Sequence, residues 1–200
     1  MELLVATGNA HKLSELGPLL PGHRLLRPAD VGFPGFDVDE DGATYLENAL
    51  KKARALFDLT GRPALADDSG LAVHALGGAP GVISARYGSE DGRRKLDSAE
   101  RNALLLGNCE AFEDRRCAFV CALALILDEE RVFVIQETCP GELLRVPRGA
   151  GGFGYDPVVW LPELGKSIAE LSQDEKNRVS HRGRAGQRMA AILDDLAAGA

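Results

Sequence analysis

Two adjacent carboxylates, Asp67 and Asp68, follow the short apolar segment 63–66 and are themselves followed by Ser69. Neighbouring residues of a strand face opposite sides, so one Asp can face a cleft while neighbouring backbone holds the other. A carboxylate beside Mg²⁺ can bind the metal and also orient or deprotonate an attacking water. The doublet therefore indicates phosphate chemistry, with a polar turn capped by Asp as the alternative.

A second candidate site is the turn after the first apolar segment, where Gly8 lets the backbone bend and Asn9 can cap a helix. His11 and Lys12 then lie in the first turn of that helix, where the helix dipole disfavours cations unless an anion binds there. The pattern favours a phosphate site with Lys12 as the cationic partner, and a capped helix with a solvated lysine is the alternative. It is not a Walker loop, because the sequence lacks G-x-x-x-x-G-K-[ST].

The acidic run Asp37-Val38-Asp39-Glu40-Asp41-Gly42 begins like a calcium-binding loop. A complete loop would end on a bidentate Glu, but Asn48 stands at that position, so a calcium module is the least favoured interpretation. Two interpretations stay open: an acidic solvated loop that caps the following helix, or a loop that brings Glu40 to a divalent cation.

Two further groups offer contacts to a nucleotide. The segment Gly151-Gly152-Phe153-Gly154-Tyr155-Asp156-Pro157 combines glycines, which allow a close backbone approach, with two aromatic faces for stacking. Lys176 and the run Ser180-His181-Arg182-Gly183 offer cationic groups for a base edge or phosphates. An ordinary strand connection and a solvated basic patch are the respective alternatives.

The elements that must position these side chains alternate between strands and helices. The patterns predict strands over 2–6, 24–28, 63–66, 116–127, 131–138 and 158–160, with 71–76 and 142–146 as further candidates. They predict helices from the first turn to Leu20 and over 43–59, 98–106, 166–171, 175–179 and 182–196. Segment 148–157 holds four glycines and is predicted to be a loop. This order indicates an α/β fold in which antiparallel pairing is mixed with a strand–helix opening.

Composition limits the function classes. Apolar residues make up 45% and charged residues 26% of the 200 residues, which is typical of a globular chain with a sizeable core. The net charge of −7 argues against binding a nucleic-acid polymer, and the longest apolar runs are too short for a signal peptide or a membrane span. We therefore expect a soluble cytoplasmic protein with no membrane partner. The four cysteines lack C-x-x-C spacing, and we expect free, mostly buried thiols.

Seven motifs, in order from Leu4 to about Arg188, closely resemble the Ham1 family of inosine/xanthosine triphosphate pyrophosphatases. They are Thr7-Gly8-Asn9-x-x-Lys12, Thr44-x-x-Glu47-Asn48-Ala49, Ala66-Asp67-Asp68-Ser69-Gly70-Leu71, Gly77-Gly78-Ala79-Pro80-Gly81, Ser84-Ala85-Arg86-Tyr87, Gly151 to Pro157, and Ser180-His181-Arg182-Gly183. The resemblance implies a single bilobed domain over 1–200, with a long mixed central sheet flanked by helices and an active-site cleft between two lobes. It also implies a homodimer that uses Mg²⁺ to hydrolyse ITP, dITP or XTP to the monophosphate and pyrophosphate.

The resemblance further implies roles for single residues. Asp68 would be the general base and a metal ligand, and Glu40 is our choice for the second metal carboxylate, with Asp39 and Asp41 as alternatives. The phosphates would be held by Thr7, Gly8, Asn9, Ala10, His11 and Lys12. Ser69 would contact the substrate, and the purine with its sugar or phosphate would be surrounded by Phe153, Gly154, Tyr155, Asp156, Lys176, His181 and Arg182.

Two rival functions use the same residues. A nucleotide-binding regulator would keep the phosphate site without chemistry, but the doublet Asp67-Asp68 argues against it, since a pure binder gains little from acids beside a triphosphate. A pyrophosphatase of the Maf group, acting on pyrimidine or modified nucleotides, would resemble this protein in its phosphate site. The run Ser180-His181-Arg182-Gly183 favours the purine enzyme.

Overall fold

The structure is a computed structural model that describes residues 1–89 and 96–198. Within these residues seven strands form one sheet, in the order β2-β1-β3-β4-β5-β6-β7. The strands are β1 (Glu2–Val5), β2 (Arg24–Leu26), β3 (Ala64–Val73), β4 (Arg116–Ile126), β5 (Val132–Leu143), β6 (Val159–Leu161) and β7 (Lys166–Ser167). β1 runs parallel to β2 and β3, whereas β6 runs antiparallel to β5 and β7, so the sheet is mixed as predicted.

The α-helices of the described residues are α1 (Ala10–Leu19), α2 (Tyr45–Thr60), α3 (Ser98–Asn108), α4 (Gln173–Val179) and α5 (His181–Ala198). The longer predicted helices are confirmed, with ends that differ by a few residues. α2 shows why its sequence folds in this way: Thr44 and Glu47 form a reciprocal capping box at its start, and Gly61 ends it in the left-handed conformation. These caps set where α2 begins and ends, and the spacing of Ala49, Ala53 and Leu56 sets which face of the helix is buried.

The first of two compact units comprises Met1–Asp68, Cys121–Glu137 and His181–Ala200. It holds two clusters of buried apolar side chains. One includes Leu3, Leu65 and Met189, and the other includes Leu4, Ala53 and Leu56 from α2. The alternating residues of β1 and β3 thus supply both clusters, as the two-residue period of a strand requires.

The second unit comprises Ser69–Val120 and Thr138–Ser180. Its core joins Leu71 and Val73 of β3 to Leu105 of α3 and to Val159 of β6. Cysteines 109, 117 and 139 lie in or beside this core, and Cys121 lies in the first unit. All four cysteines lie outside disulfide bonds and are buried, as predicted.

β3 is one continuous strand through the acidic doublet, as expected of a strand over 63–66 with 71–76 as its candidate continuation, and it ends at Val73. Two sequence predictions about elements were wrong. β5 continues through Pro140 and Gly141 to Leu143, so the predicted third strand over 142–146 does not exist as a separate element. The segment 166–171, predicted to be helical, is the two-residue strand β7 followed by a single turn of 3-10 helix. The prediction of one bilobed domain over 1–200 stays a prediction.

Candidate active site

Asp67 and Asp68 lie in the interior of β3, and both are buried, with 0% and 5% of their surfaces exposed. Their side chains face opposite sides of the strand, so each meets a different set of partners. Because a buried carboxylate is costly without a partner, the identity of those partners decides what each residue can do.

On one side, the carboxylate of Asp68 meets the inward face of α2. Lys52 Nζ lies 2.9 Å from Asp68 Oδ1 and 2.6 Å from Glu40 Oε1, and it also donates to the carbonyl oxygen of Asp67 at 2.9 Å. Asn48, one helical turn earlier, places Nδ2 3.5 Å from Asp68 Oδ2 and accepts from the amide of Gly42 at 2.8 Å. The acidic loop and β3 are therefore joined through one buried ammonium group.

The electrostatics of this group make Asp68 a suitable base. Burial raises the pKa of Asp68 above its ordinary value, and the positive charges of Lys52 and Lys12 only partly oppose that rise. Burial alone would lower the pKa of Lys52, but the charges of Asp68 and Glu40 outweigh it, so that pKa is raised. Lys52 thus stays protonated, while Asp68 accepts a proton more readily than an exposed Asp.

On the other side, Asp67 is fully engaged by cations. Arg182 Nε lies 2.8 Å from Asp67 Oδ2, and Lys12 Nζ lies 2.5 Å from Asp67 Oδ1. Arg182 also contacts Glu15 Oε2 at 2.6 Å, and the Cys121 thiol donates to Asp67 Oδ2 at 3.3 Å. Burial would raise the pKa of Asp67, but the attraction of Arg182 and Lys12 holds it well below its ordinary value.

This arrangement corrects one expectation. We expected neighbouring backbone to hold the second Asp, whereas the structure shows the side chains of Lys12 and Arg182 pairing with Asp67. A carboxylate with a strongly lowered pKa is a poor proton acceptor, so Asp67 is an anchor for the two cations and Asp68 is the candidate base.

The turn before α1 has the predicted cap. Thr7 Oγ1 accepts from the amide of Asn9 at 3.1 Å, and Asn9 Oδ1 accepts from the amide of His11 at 2.9 Å. Lys12 is not a solvated lysine, because its side chain is 15% exposed and pairs with Asp67. The structure thus ties this turn, which includes Gly8 and Ala10, to the acidic doublet.

The predicted base-contacting residues of the second unit form a separate cluster. Asp156 Oδ2 accepts from Lys176 Nζ at 2.6 Å and from the amide of Phe153 at 2.7 Å, and both Asp156 and Lys176 are buried. Lys176 Nζ also lies 5.0 Å from the centroid of the Phe153 ring, a cation–π contact. The hydroxyl of Tyr155 donates to the carbonyl of Ser84 at 2.9 Å.

The remaining predicted residues lie at unit boundaries along the chain. Ser69 is half-buried and directly follows Asp68. His181 and Arg182 begin α5 and are buried, with 4% and 2% exposed. The structure assigns the Arg182 guanidinium to Asp67 and Glu15, and a contact between Arg182 and substrate stays a prediction.

Lys52, Asn48 and Glu15 take part in these contacts but were missed by the sequence analysis. For Lys52 a signal existed, because it stands on the helical face of α2 that is otherwise apolar, beside Ala49 and Leu56. A lysine on a buried helical face must find a carboxylate, and two candidates were available. Glu15 gave no such signal, since its partner Arg182 is 167 residues away in the sequence.

The chemistry of Glu40 and Asp68 fits a Mg²⁺ ion. Both carboxylates already contact one buried cationic group, so both are within reach of a shared positive charge. Mg²⁺ prefers oxygen ligands and commonly takes only one or two carboxylates, the rest being water and substrate phosphate. Within residues 1–89 and 96–198 there is no group of three or more His, Cys, Asp or Glu side chains placed to hold a metal. A site with two carboxylates does not require a third protein ligand of this kind.

A profile of the Ham1 family matches residues 3–192 of the sequence. The chain belongs to the Ham1 family. Among curated Ham1 relatives, the dITP/XTP pyrophosphatase of Treponema denticola is 45% identical over 185 residues, which cover 92% of this chain and 94% of that protein. The dITP/XTP pyrophosphatase of Geobacter sulfurreducens is 47% identical over 197 residues, with 97% and 96% covered.

Solved structures of the Ham1 family agree with the fold. A HAM1 protein from Coxiella burnetii superposes with a TM-score of 0.87 at 38% identity, covering 98% of this chain and 99% of that one. A dITP/XTP pyrophosphatase from Mycobacterium abscessus gives a TM-score of 0.75 at 43% identity, with 96% and 99% covered. These likenesses confirm the predicted family and the mixed α/β fold. In the described part of the chain, no helix has the length and apolar character to cross a bilayer.

Proposed function

We propose that this protein hydrolyses the non-canonical purine nucleoside triphosphates dITP, ITP and XTP to the monophosphate and pyrophosphate, and so clears deaminated purines from the nucleotide pool. The observation that carries the proposal is the buried Asp68, whose raised pKa suits proton abstraction and which shares its partner Lys52 with Glu40, the second candidate metal carboxylate. The names of the relatives at 45% and 47% identity support the same reaction.

In the proposed mechanism, Asp68 takes a proton from a water that attacks the α-phosphorus in line, and pyrophosphate leaves. Mg²⁺, when bound by Asp68 and Glu40, supplies positive charge that neutralises the phosphates. The turn from Thr7 to Lys12 holds the phosphates, and Asp67 with Arg182 keeps Lys12 in place. Lys52 fixes Asp68 and Glu40 relative to one another, so that both carboxylates are held before substrate arrives.

We assign base recognition to the residues that were predicted to surround the purine. A 6-oxo purine is recognised by a hydrogen-bond donor at O6, and the same donor is left unmet by the 6-amino group of adenine. We assign this donor to a backbone amide between Phe153 and Tyr155, or to the pair His181 and Arg182. The remaining contacts to purine, sugar or phosphate would come from Ser69, Gly154, Asp156 and Lys176.

The proposal includes a cytoplasmic homodimer, because the nucleotide pool is cytoplasmic and the first unit leaves apolar residues of β5 exposed. Val132 and Val134 are 39% and 46% exposed at alternating positions of that strand. A paired surface would cover such side chains. Sedimentation velocity should report a dimer for the wild type and a shift toward monomer for Val134→Glu.

The function is tested by measuring pyrophosphate release from dITP, XTP, ATP and GTP by the purified protein, with Mg²⁺ and then with EDTA. The expected result is fast Mg²⁺-dependent release from dITP and XTP and far slower release from ATP and GTP. Release from none of the four would favour the nucleotide-binding regulator instead. Turnover of pyrimidine triphosphates alone would favour a Maf-like substrate range.

A further inference from the structure

The loop that contains Phe153 and Asp156 takes its shape from internal contacts. The Asp156 carboxylate accepts from the amide of Phe153 and from Lys176, which closes the loop on itself. Gly152 has a φ of +68°, and a Cβ added there would lie 2.0 Å from Asp156 Oδ2, so only glycine fits. These contacts fix one side of the loop, and on the other side the Tyr155 hydroxyl donates to the Ser84 carbonyl.

Asn102 of α3 holds the Gly154–Tyr155 peptide. Its Nδ2 donates to the carbonyl oxygen of Gly154 at 3.0 Å, and the side chain is buried, with 5% exposed. The peptide bond between Gly154 and Tyr155 is trans and planar, so the Tyr155 amide points away from the Gly154 carbonyl. By fixing the direction of the carbonyl, Asn102 also fixes the direction in which the Tyr155 amide can donate.

The other end of the Asn102 side chain argues against a packing role. Asn102 Oδ1 is buried and has no hydrogen-bond partner among the residues that the structure describes, which is unfavourable for a buried acceptor. A residue needed only to fill space on the inward face of α3 would be apolar, as Leu105 is three residues later. The donor to Gly154 is what distinguishes asparagine from leucine at this position.

We propose that Asn102 is a positioning residue for purine recognition, which orients the Tyr155 amide toward the O6 atom of a 6-oxo purine. The inference rests on the proposed function and deepens it. It assigns a specificity role to a side chain of α3 that acts only through the Gly154–Tyr155 peptide.

The test uses two variants that remove the donor in different ways. Asn102→Asp keeps the shape but places a carboxylate oxygen against the Gly154 carbonyl. Asn102→Leu removes the donor and the Oδ1 acceptor together and leaves the Gly154 carbonyl without this donor. It places no charge beside that carbonyl, so it remains informative if Asn102→Asp does not fold. Asn108→Asp is the matched control, because it makes the same change on the same helix at an exposed residue that contacts Tyr87.

The readout is kcat/KM for dITP and for dATP in each purified full-length variant, together with the inhibition constant of pyrophosphate. Both Asn102 variants should lose about tenfold in kcat/KM for dITP, the effect of one misplaced hydrogen bond. The weak dATP activity and the pyrophosphate constant should stay unchanged, because neither depends on a donor at O6. Asn108→Asp should match the wild type throughout.

Equal losses for dITP and dATP would overturn the proposal in favour of a structural role, and so would an unchanged kcat/KM for dITP in both Asn102 variants. A wild type that releases no pyrophosphate from dITP would contradict the proposed function itself. In that case the affinities for dITP and dATP are measured by calorimetry in EDTA. A loss of affinity in the Asn102 variants that is confined to dITP supports the role of Asn102. Equal affinities for dITP in wild type and variants overturn it.

Discussion

At the scale of single residues, Lys52 is the cation on which Asp68 and Glu40 both depend. Removing it by Lys52→Met would leave two acids without their shared partner, one of them buried. We expect the free energy of unfolding in EDTA to fall by about 3–5 kcal/mol, as found when one member of a buried ion pair is removed. Urea denaturation monitored by circular dichroism measures this change.

The adjacent Lys51 provides the control for that prediction. Its side chain is 42% exposed and pairs with the exposed Asp41, so Lys51→Met should leave the unfolding free energy close to that of the wild type. Equal destabilisation by the two substitutions would show that Lys52 is not the buried partner described above.

The pH dependence of stability should report on Asp67. Its folded-state pKa is depressed, since the attraction of Arg182 and Lys12 overcomes burial, so the unfolded chain binds more protons at this site. The resulting stability is fully present above the unfolded pKa of about 3.9 and is lost as pH falls toward the folded-state value. Asp67→Asn should therefore weaken the decline in unfolding free energy between about pH 5 and pH 2.

Urea titrations of wild type and Asp67→Asn at several pH values across that window make the comparison. Parallel declines in the two proteins would mean that other carboxylates carry the acid sensitivity. Asp195→Asn, at an exposed residue of α5, corrects for the removal of a carboxylate as such.

The sequence predicted some of the functional side chains and missed several of their partners. The doublet Asp67-Asp68 and the Asn9 cap were identifiable because their types and spacing carry the signal locally. The partners of Asp67 were not identifiable, since Arg182 lies 115 positions away in the sequence. Lys52 was accessible in principle, but a lysine within a helical pattern is ordinarily solvated, and only burial reveals the pairing.

At the scale of elements, the sequence wrongly predicted a break where a strand continues through residues that are unusual in strands. Pro140 and Gly141 resemble a break, yet β5 passes through them. A Cβ at Gly141 would lie 2.5 Å from the carbonyl oxygen of Trp160, so glycine is needed there for close approach to β6. Gly70 in β3 is similar, because a Cβ there would lie 2.3 Å from Ser84 Oγ. Such close approaches depend on a neighbour that local patterns do not show.

The contact between α1 and α5 gives a prediction at this scale. A Cβ on Gly186 would lie 2.8 Å from Leu19 Cδ1 and 2.9 Å from Leu19 Cβ, and the latter atom cannot move without its backbone. We expect Gly186→Ala to lower the unfolding free energy by about 1–3 kcal/mol through overpacking, despite the better helix propensity of alanine. Thermal and urea unfolding of the purified variant measure this loss.

Gly107 on α3 is the matched helical glycine, since no atom of the described part of the chain lies within 4 Å of its added Cβ. Gly107→Ala should be neutral or stabilise the protein by up to about 1 kcal/mol. A stabilised Gly186→Ala variant would contradict the close packing of the two helices.

At the scale of the whole molecule, the thiols report on global unfolding. All four cysteines lie outside disulfide bonds and are buried, and burial raises the pKa of Cys117 to about 12. The thiolate is the reactive form, so native protein should react with a disulfide reagent such as DTNB only at the rate at which it opens. We expect four thiols to react promptly in denaturant and essentially none in native buffer, and prompt reaction of a native thiol would contradict the burial.

Whole-molecule charge was a poor guide to the site. The chain carries a net charge of −7, yet Lys12, Lys52 and Arg182 gather around the acidic doublet. The family, by contrast, was identifiable from the order of the motifs along nearly the entire chain. Hydrophobic periodicity alone predicted most helices and strands but could not predict the substrate. Substrate choice depends on side chains that the fold brings together from distant segments.

The central claim is that Asp68 is the general base of a metal-dependent pyrophosphatase, and the most direct test compares kcat and the dissociation constant for dITP in wild type and Asp68→Asn. We expect kcat to fall by about a thousandfold, within the usual range for loss of a general base, and the dissociation constant for dITP to stay largely unchanged. Asp128→Asn should match the wild type in both quantities. An unchanged kcat for Asp68→Asn would contradict the account.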